Sequence, residues 1–487
     1  MKTLDYRYLA VVLITVCCTS LTIAAEPNGG PPDHMQALFF LDKFCIARSQ
    51  DMQQRFFQPE PVKDYAFVDD HPNAGGMEML TVRYDREARL YKMWYFMHLK
   101  HGTGGFPKPT AFCYAESRDG LQWDLPQLSV DTDRMTRFYP NAVFSGKERV
   151  TMGAVRYDPY DADASRRYKL AYEDGTTMHL AWSADGIKWR IADGPVWHAS
   201  ESDTENDIWH NPYTGKYQII CRASDVDRRV AVVESVDLKT WTVPRILLHP
   251  EPLDPLGLEF YGMPVFQYEG LYLGCLWKFQ TGTSGHHPFR TDGTIEPELT
   301  YSYDGVTWNR THRTFIERSI RGTVGGGRIY LESIVPDHED RLRFYSRGYR
   351  IEHGSKQPGG APALILHTMR KDGFVGMESL GYDGYLQTKP FKLMGNNVSF
   401  NILAPQGVVQ VQLSDKEGKP YPGFTFEDCE NWSGDETAYV PQWKGKSNLA
   451  ELQGKPVRFE LKMTEGVVYA IRAKLRPFHG TRDQAGY

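Results

Sequence analysis

A seven-residue turn recurs along this 487-residue chain and constrains its fold more than any other feature. Ser117-Arg-Asp119-Gly120-Leu-Gln-Trp123 returns as Ser183-Ala-Asp185-Gly186-Ile-Lys-Trp189, as Ser235-Val-Asp237-Leu-Lys-Thr-Trp241 and as Ser302-Tyr-Asp304-Gly305-Val-Thr-Trp308. Arg370-Lys371-Asp372-Gly373-Phe374 is a worn fifth copy. The serines stand 66, 52 and 67 residues apart, and Asp372 follows Asp304 by 68. A regular period of this kind marks a repeat architecture. Each copy has the chemistry of a tight hairpin. The Asp carboxylate caps the turn, Gly takes the positive φ in all but the third copy, and the aromatic returns into a sheet.

Strand-like segments lead into every turn. They are residues 110–116, 178–182, 229–234, 299–301 and 364–369. A second set lies upstream at 89–96, 166–173, 215–222, 270–277 and 341–347. A third lies further upstream at 77–85, 150–158, 206–211, 260–268 and 328–335. Adding an outer strand after the turn makes four antiparallel strands, repeated five times. That order predicts a five-bladed β-propeller over residues 35–375. No unit carries an amphipathic helical period, which argues against α/β alternatives. After Phe374 the rhythm changes to short strands separated by turns such as Lys416-Glu-Gly-Lys and Pro420-Tyr-Pro-Gly423. This stretch, 376–475, predicts a C-terminal β-sandwich. The expected fold class is all-β.

The first 25 residues read as a removable leader. Lys2 and Arg7 precede an uncharged apolar run over 9–18, and Ala24 and Ala25 follow. The run is short of the roughly 20 residues a spanning helix needs. A signal peptide over 1–25 implies a secreted or periplasmic protein with no membrane span. Cys17 raises lipid anchoring, but Val16 precedes it where a small residue is expected. Five cysteines remain beyond the leader, widely spaced and odd in number, which does not suit a disulfide scaffold. Cys113, Cys221 and Cys275 lie in apolar runs and read as small buried hydrophobes. No CxxC pair occurs, so no structural zinc site is expected, and neither a metal nor a cofactor is assigned. The formal net charge of −5 gives no electrostatic footprint for nucleic acid. Oligomeric state is not legible.

Five blades followed by a β-sandwich resemble the glycoside hydrolase superfamily of families 32, 43 and 68. More closely, the chain is similar over roughly 35–475 to secreted bacterial proteins labelled as family-32-like hydrolases. The stretches that carry the resemblance are Leu41-Asp42, Tyr91-Lys92-Met93-Trp94-Tyr95, Tyr261-Gly262-Met263-Pro264-Val265-Phe266 with Glu269-Gly270-Leu271-Tyr272-Leu273-Gly274, Asp372-Gly373-Phe374-Val375 and Gly423-Phe424-x-x-Glu427-Asp428-Cys429. The Asn-Asp-Pro and Arg-Asp-Pro boxes of family 32 are absent. The resemblance therefore implies the fold more strongly than the reaction.

Glycoside hydrolysis needs two carboxyl groups across the scissile bond. The resemblance implies that they stand at the starts of inner strands, in the order Asp, Asp, Glu. Those starts offer Glu78 in the first unit, Asp203 with Glu205 and Asp207 in the third, and Glu259 in the fourth. The expected catalytic set is Glu78, Asp203 and Glu259. Glu259 is read as general acid, Asp203 as the group that orients it and raises its pKa by like-charge repulsion, and Glu78 as base or nucleophile. Trp209, Tyr261 and Arg328 are the expected substrate-binding residues, through stacking on a sugar face and pairing with an anionic substituent. His210 reads more readily as a core histidine than as a ligand of a channel ion. A glycoside hydrolase acting on a poly- or oligosaccharide is the leading reading. A carbohydrate-binding propeller without catalysis is the alternative. A sialidase-like enzyme using Arg222, Arg321 and Arg328 is a third, but its usual turn repeat is one residue longer than this one.

Overall fold

The computed structural model describes residues 35–478, apart from 102, 104–109, 129–138, 145–149, 176, 197–201, 225–226, 283–291, 338 and 382. The expected leader lies outside the described residues. The described chain is all-β. Three units form separate four-stranded antiparallel sheets. The first joins Ala74–Asp85, Leu90–Leu99, Thr110–Ser117 and Ala142–Phe144. The second joins Val150–Tyr157, Tyr168–Asp174, Thr177–Ser183 and Trp189–Ile191. The third joins Asp207–Asn211, Lys216–Ser224, Arg228–Ser235 and Arg245–Leu248.

The fourth unit has a broken inner edge, Leu258–Phe260 and Val265–Tyr268, against Leu271–Thr281, Gly293–Ser302 and Asn309–Thr314. The fifth has Arg328–Pro336, Arg341–Tyr349 and Ala363–Arg370. Its outer strand is not the segment after the turn. Glu60–Pro61, from before the first unit, pairs with Thr368 and His367 instead. That borrowed strand explains the worn fifth repeat, because the chain after Asp372 has no need to turn back into its own unit.

The turns work as their residues suggest. Asp119 Oδ1 accepts from the backbone N–H of Leu121 at 2.8 Å and of Gln122 at 2.9 Å, and Ser117 Oγ accepts from Gly120 N at 2.8 Å. Asp185, Asp237 and Asp304 accept the same pair of N–H groups. These bonds favour the ionised carboxyl, and Asp237 falls to about 2. Four of these turns also dock on a neighbouring unit. Tyr345 of the fifth unit donates to Gly120 O, Trp94 of the first to Gly186 O, and Asn211 of the third to Asp304 O. Asp372 receives Tyr268 Oη of the fourth unit at 2.7 Å.

Inner strands complete the circle. Thr81 Oγ1 accepts from Val155 N, Asn206 donates to Met152 O, and Asp207 accepts from Val265 N. Trp277 donates to Leu331 O, and Ser333 Oγ accepts from Val82 N. These hydrogen bonds link the five units in succession and join the fifth to the first. Cys113, Cys221 and Cys275 are buried within these units, as expected of small apolar side chains.

A ten-stranded hydrogen-bonded set follows the ring. Its C-terminal strands, including Gly384–Thr388, Ser399–Ser414, Pro456–Met463 and Val467–Pro477, take in three N-terminal ones. Met35–Phe39 pairs with Val467–Pro477, Ile46–Gln50 with Gly384–Thr388, and Met52–Phe56 with Val375–Ser379. Residues 35–56 thus hydrogen-bond with the C-terminal strands rather than inside the ring, where sequence order had set them. One apolar core runs from Phe266, Phe315 and Phe344 into Phe400, Phe459 and Trp443. Asp42 ties the N-terminus to the fourth unit by accepting from Tyr301 and Tyr303.

Candidate functional site

The five units share one strand order, so their inner strands begin at the same end of the ring. Three inner strands are irregular. The pairing shifts at Met79, at Met152 and at Glu332, with Met79 at φ 41° and Met152 at φ 60°. Bulges of this kind bend a strand and re-aim its side chains. In the fourth unit Tyr261-Gly262-Met263-Pro264 interrupts the strand. Gly262 is required there, because a Cβ would lie 2.3 Å from Thr204 Oγ1 and 2.9 Å from the Trp277 ring.

Two of the expected carboxylates are held by arginines, and the third lies beside a histidine. Arg228 donates to Glu259 Oε2 at 2.6 Å, with the Glu259 side chain only 4% exposed. Arg222 donates to Asp203 O at 2.7 Å and lies 3.5 Å from its carboxylate, which is 59% exposed. Glu78 lies 2.6 Å from His98 Nε2, and Thr151 Oγ1 donates to it at 3.4 Å. Among the described residues, Asp203 and Glu259 are each bonded to an arginine and not to one another.

Tyr261 connects the three. The Arg222 and Arg228 guanidiniums lie 5.3 and 5.7 Å from its ring centre. Burial pushes its phenol up, the Asp203 and Glu78 charges add to that, and the two arginines oppose it. Its hydroxyl lies 3.1 Å from His353 Nε2. Arg328 donates to Glu352 O at 2.7 Å and lies 3.7 Å from the Tyr349 ring centre.

Trp209 is not at this mouth. It packs with Ile220, Phe260 and Tyr272 in the core between the third and fourth units. His210 packs edge-on against Tyr217. Arg321 is 88% exposed and lies 3.8 Å from the Glu352 carboxylate, the residue whose carbonyl Arg328 meets.

Deeper groups went unassigned. Glu332 is buried, 2.8 Å from Arg347, and accepts from Leu80 N. Burial pushes it up to about 7, with Arg347 opposing and Glu78 adding. Glu205 is wholly buried, and neither of its oxygens has a hydrogen-bond partner among the described residues. Burial holds it well above the usual carboxylate range, and the Glu332 and Asp207 charges push the same way. Asp207 is neutralised by Arg156. The site therefore holds carboxylates matched to cations beside carboxyls whose pKa burial raises. Such a division is what general acid–base chemistry uses. Glu332 carried a readable signal, a lone carboxylate in the apolar strand Ile329-Tyr-Leu-Glu332-Ser-Ile-Val.

No family model and no curated protein matches the chain. Solved structures similar to it include glycoside hydrolases at low identity. One described as a glycoside hydrolase shares 14% identity with a TM-score of 0.41, covering 64% of this chain and 94% of its own. A Bombyx mori GH32 beta-fructofuranosidase in complex with sucrose shares 12% with a TM-score of 0.41, covering 88% and 95%. An N-acetylgalactosamine deacetylase from F. plautii, in complex with blood group B trisaccharide, shares 14% with a TM-score of 0.44, covering 67% and 97%. At these scores the likenesses assign no reaction.

Proposed function

We propose that this chain is a secreted or periplasmic glycoside hydrolase acting on a poly- or oligosaccharide. Its ring is read as a five-bladed β-propeller over 35–375 and its last strands, 376–475, as a β-sandwich. The observation that carries the reading is the convergence on Tyr261. Its phenol feels the Asp203 and Glu78 charges, and Arg228 beside its ring holds Glu259. Glu78, Asp203 and Glu259, from three units, are read as gathered about this buried tyrosine. Carboxyl groups contributed by several units suit cleavage of a glycosidic bond, which needs two of them. Glu78 and Glu259 are the proposed base or nucleophile and acid. Asp203 orients the substrate or the acid, and Arg328 binds the sugar. Trp209 and Tyr261 are left out of the binding set because both are 8% exposed and lie in core clusters.

The test is release of reducing sugar from a panel of plant and marine glycans. On an active substrate, Glu259→Gln and Glu78→Gln are expected to lower the rate by about 10²–10⁴-fold. Asp203→Asn should lower it less. Wild-type rates in both Glu259→Gln and Asp203→Asn would remove the assignment. Glycan binding without turnover by the unmodified protein would instead favour a carbohydrate-binding propeller.

A further inference from the structure

A cavity of 450 Å³ opens on the C-terminal sheet, and none of its lining residues belongs to the ring. Its volume is within the range of roughly 300–1,000 Å³ typical of small-ligand sites. Four adjacent strands form its floor: Ile46–Gln50, Gly384–Thr388, Pro456–Met463 and Ser399–Ser414. Register sets one row directly across them, Gln50 opposite Tyr385, Tyr385 opposite Lys462, and Lys462 opposite Gln410. Residues paired this way share a face. The alternate positions Leu386, Leu461 and Val411 are buried on the other face, in the core.

A solvated sheet face is usually polar, so polarity alone says little. This row differs in being fixed. Tyr385 Oη donates to the buried Glu460 at 2.6 Å, which holds the ring in place. Gln410 Nε2 donates to Phe426 O, leaving its carbonyl oxygen for the groove. The Arg48 guanidinium lies 5.7 Å from the Tyr385 ring centre, and Lys462 Nζ lies 4.5 Å from that of Phe426. Neither cation has a carboxylate partner among the described residues. Asp383 is the single acid among the lining residues, against these two bases.

We propose that this groove binds an anionic saccharide. Tyr385 would supply an apolar face for a sugar ring, Gln50 and Gln410 would bond its hydroxyls, and Arg48 and Lys462 would hold its carboxylate or sulfate groups. The two cations stand on strands two apart, about 10 Å at the usual strand spacing, so they fit a segment longer than one sugar. The groove's own chemistry carries this site, independently of the reaction proposed at the ring.

Binding is measured by affinity electrophoresis and calorimetry on the purified full chain. The probes are polygalacturonate, dextran sulfate and unmodified dextran. Retention by polygalacturonate or dextran sulfate, and not by dextran, is expected, and the difference between the first two identifies the anionic group. Arg48→Gln and Lys462→Gln, both at exposed positions, should each weaken binding about tenfold, the worth of one charged hydrogen bond. Glu259→Gln should leave it unchanged, which separates this site from the ring. Equal binding of dextran, unchanged binding in both groove variants, or no binding to any probe would overturn the proposal.

Discussion

Arg347 lies 2.8 Å from the Glu332 carboxylate at the inner edge of the fifth unit, with both side chains almost fully buried. The guanidinium also lies 4.7 Å from the Tyr330 ring centre. Breaking a buried pair from one side leaves an uncompensated charge and costs about 3–5 kcal/mol. Arg347→Leu is therefore expected to lose stability on that scale in urea unfolding. Glu332→Gln keeps the shape and removes the charge that Arg347 balances, so it strands the cation instead. The double variant Glu332→Gln/Arg347→Leu should recover a large part of the loss. If the single losses simply add, the two groups are not coupled.

The same glutamate makes stability depend on pH. Its pKa rises from 4.5 to about 7 on folding, because burial disfavours the charged form. The folded state then binds more protons than the unfolded one between those values. The contribution is complete below pH 4.5 and is lost as pH rises through about 7. Glu205 acts in the same direction, since burial raises it too. Melting temperature should fall from pH 5 to 8, and Glu332→Gln should flatten that slope. An unchanged slope in the variant would locate the proton elsewhere.

The ring was legible because its signal is local. Ser117, Asp119 and Gly120 bond one another within three residues, so the turn is written in consecutive letters. Pairings between distant segments were not. Glu60–Pro61 joins the fifth unit across some 300 residues, and Met35–Phe39 joins the last strand. Glu78 and Glu259 could be found as carboxylates in apolar strands. Their partners His98 and Arg228 come from neighbouring strands, which one-dimensional spacing does not reveal. Glu332 is the fifth residue of its strand, so a pattern of carboxylates at strand starts does not include it. Trp209 was read as a stacking platform, but its side faces the neighbouring unit, where Tyr272 lies 6.4 Å away between ring centres.

Two glycines with positive φ separate backbone strain from close packing. Gly186 has φ 81°, and a Cβ there would lie 2.6 Å from the Trp94 ring. Gly215 has φ 67° with nothing within 4 Å. Gly215→Ala should cost only the left-handed penalty, about 1–2 kcal/mol. Gly186→Ala adds overpacking against a rigid buried ring, roughly 1–3 kcal/mol more. It should also weaken the bond from Trp94 Nε1 to Gly186 O. Chemical denaturation of both variants compares them directly. Equal losses would mean that Trp94 yields without cost.

Asp372 shows why the fifth turn kept its aspartate after losing its return strand. Arg472 meets both of its oxygens at 2.5 Å, Asn401 donates to it at 2.8 Å and Tyr268 at 2.7 Å. These partners come from the C-terminal strands and the fourth unit, so one buried carboxylate joins ring and sheet. Burial opposes its charge, but Arg472 and the hydrogen bonds outweigh that and hold its pKa below 3.8. Its contribution is therefore present above that value and lost as pH falls through the lower folded one. Asp372 also has φ 60°, a conformation that asparagine tolerates. Asp372→Asn thus changes charge with little backbone cost and leaves Arg472 buried without its anion. A loss of about 3–5 kcal/mol is expected at neutral pH. Calorimetry should also show the single transition separating into two, as the C-terminal sheet loosens from the ring. One sharp transition at the wild-type temperature would show that the apolar core shared by Phe344 and Phe400 holds the two parts together without the ion pair.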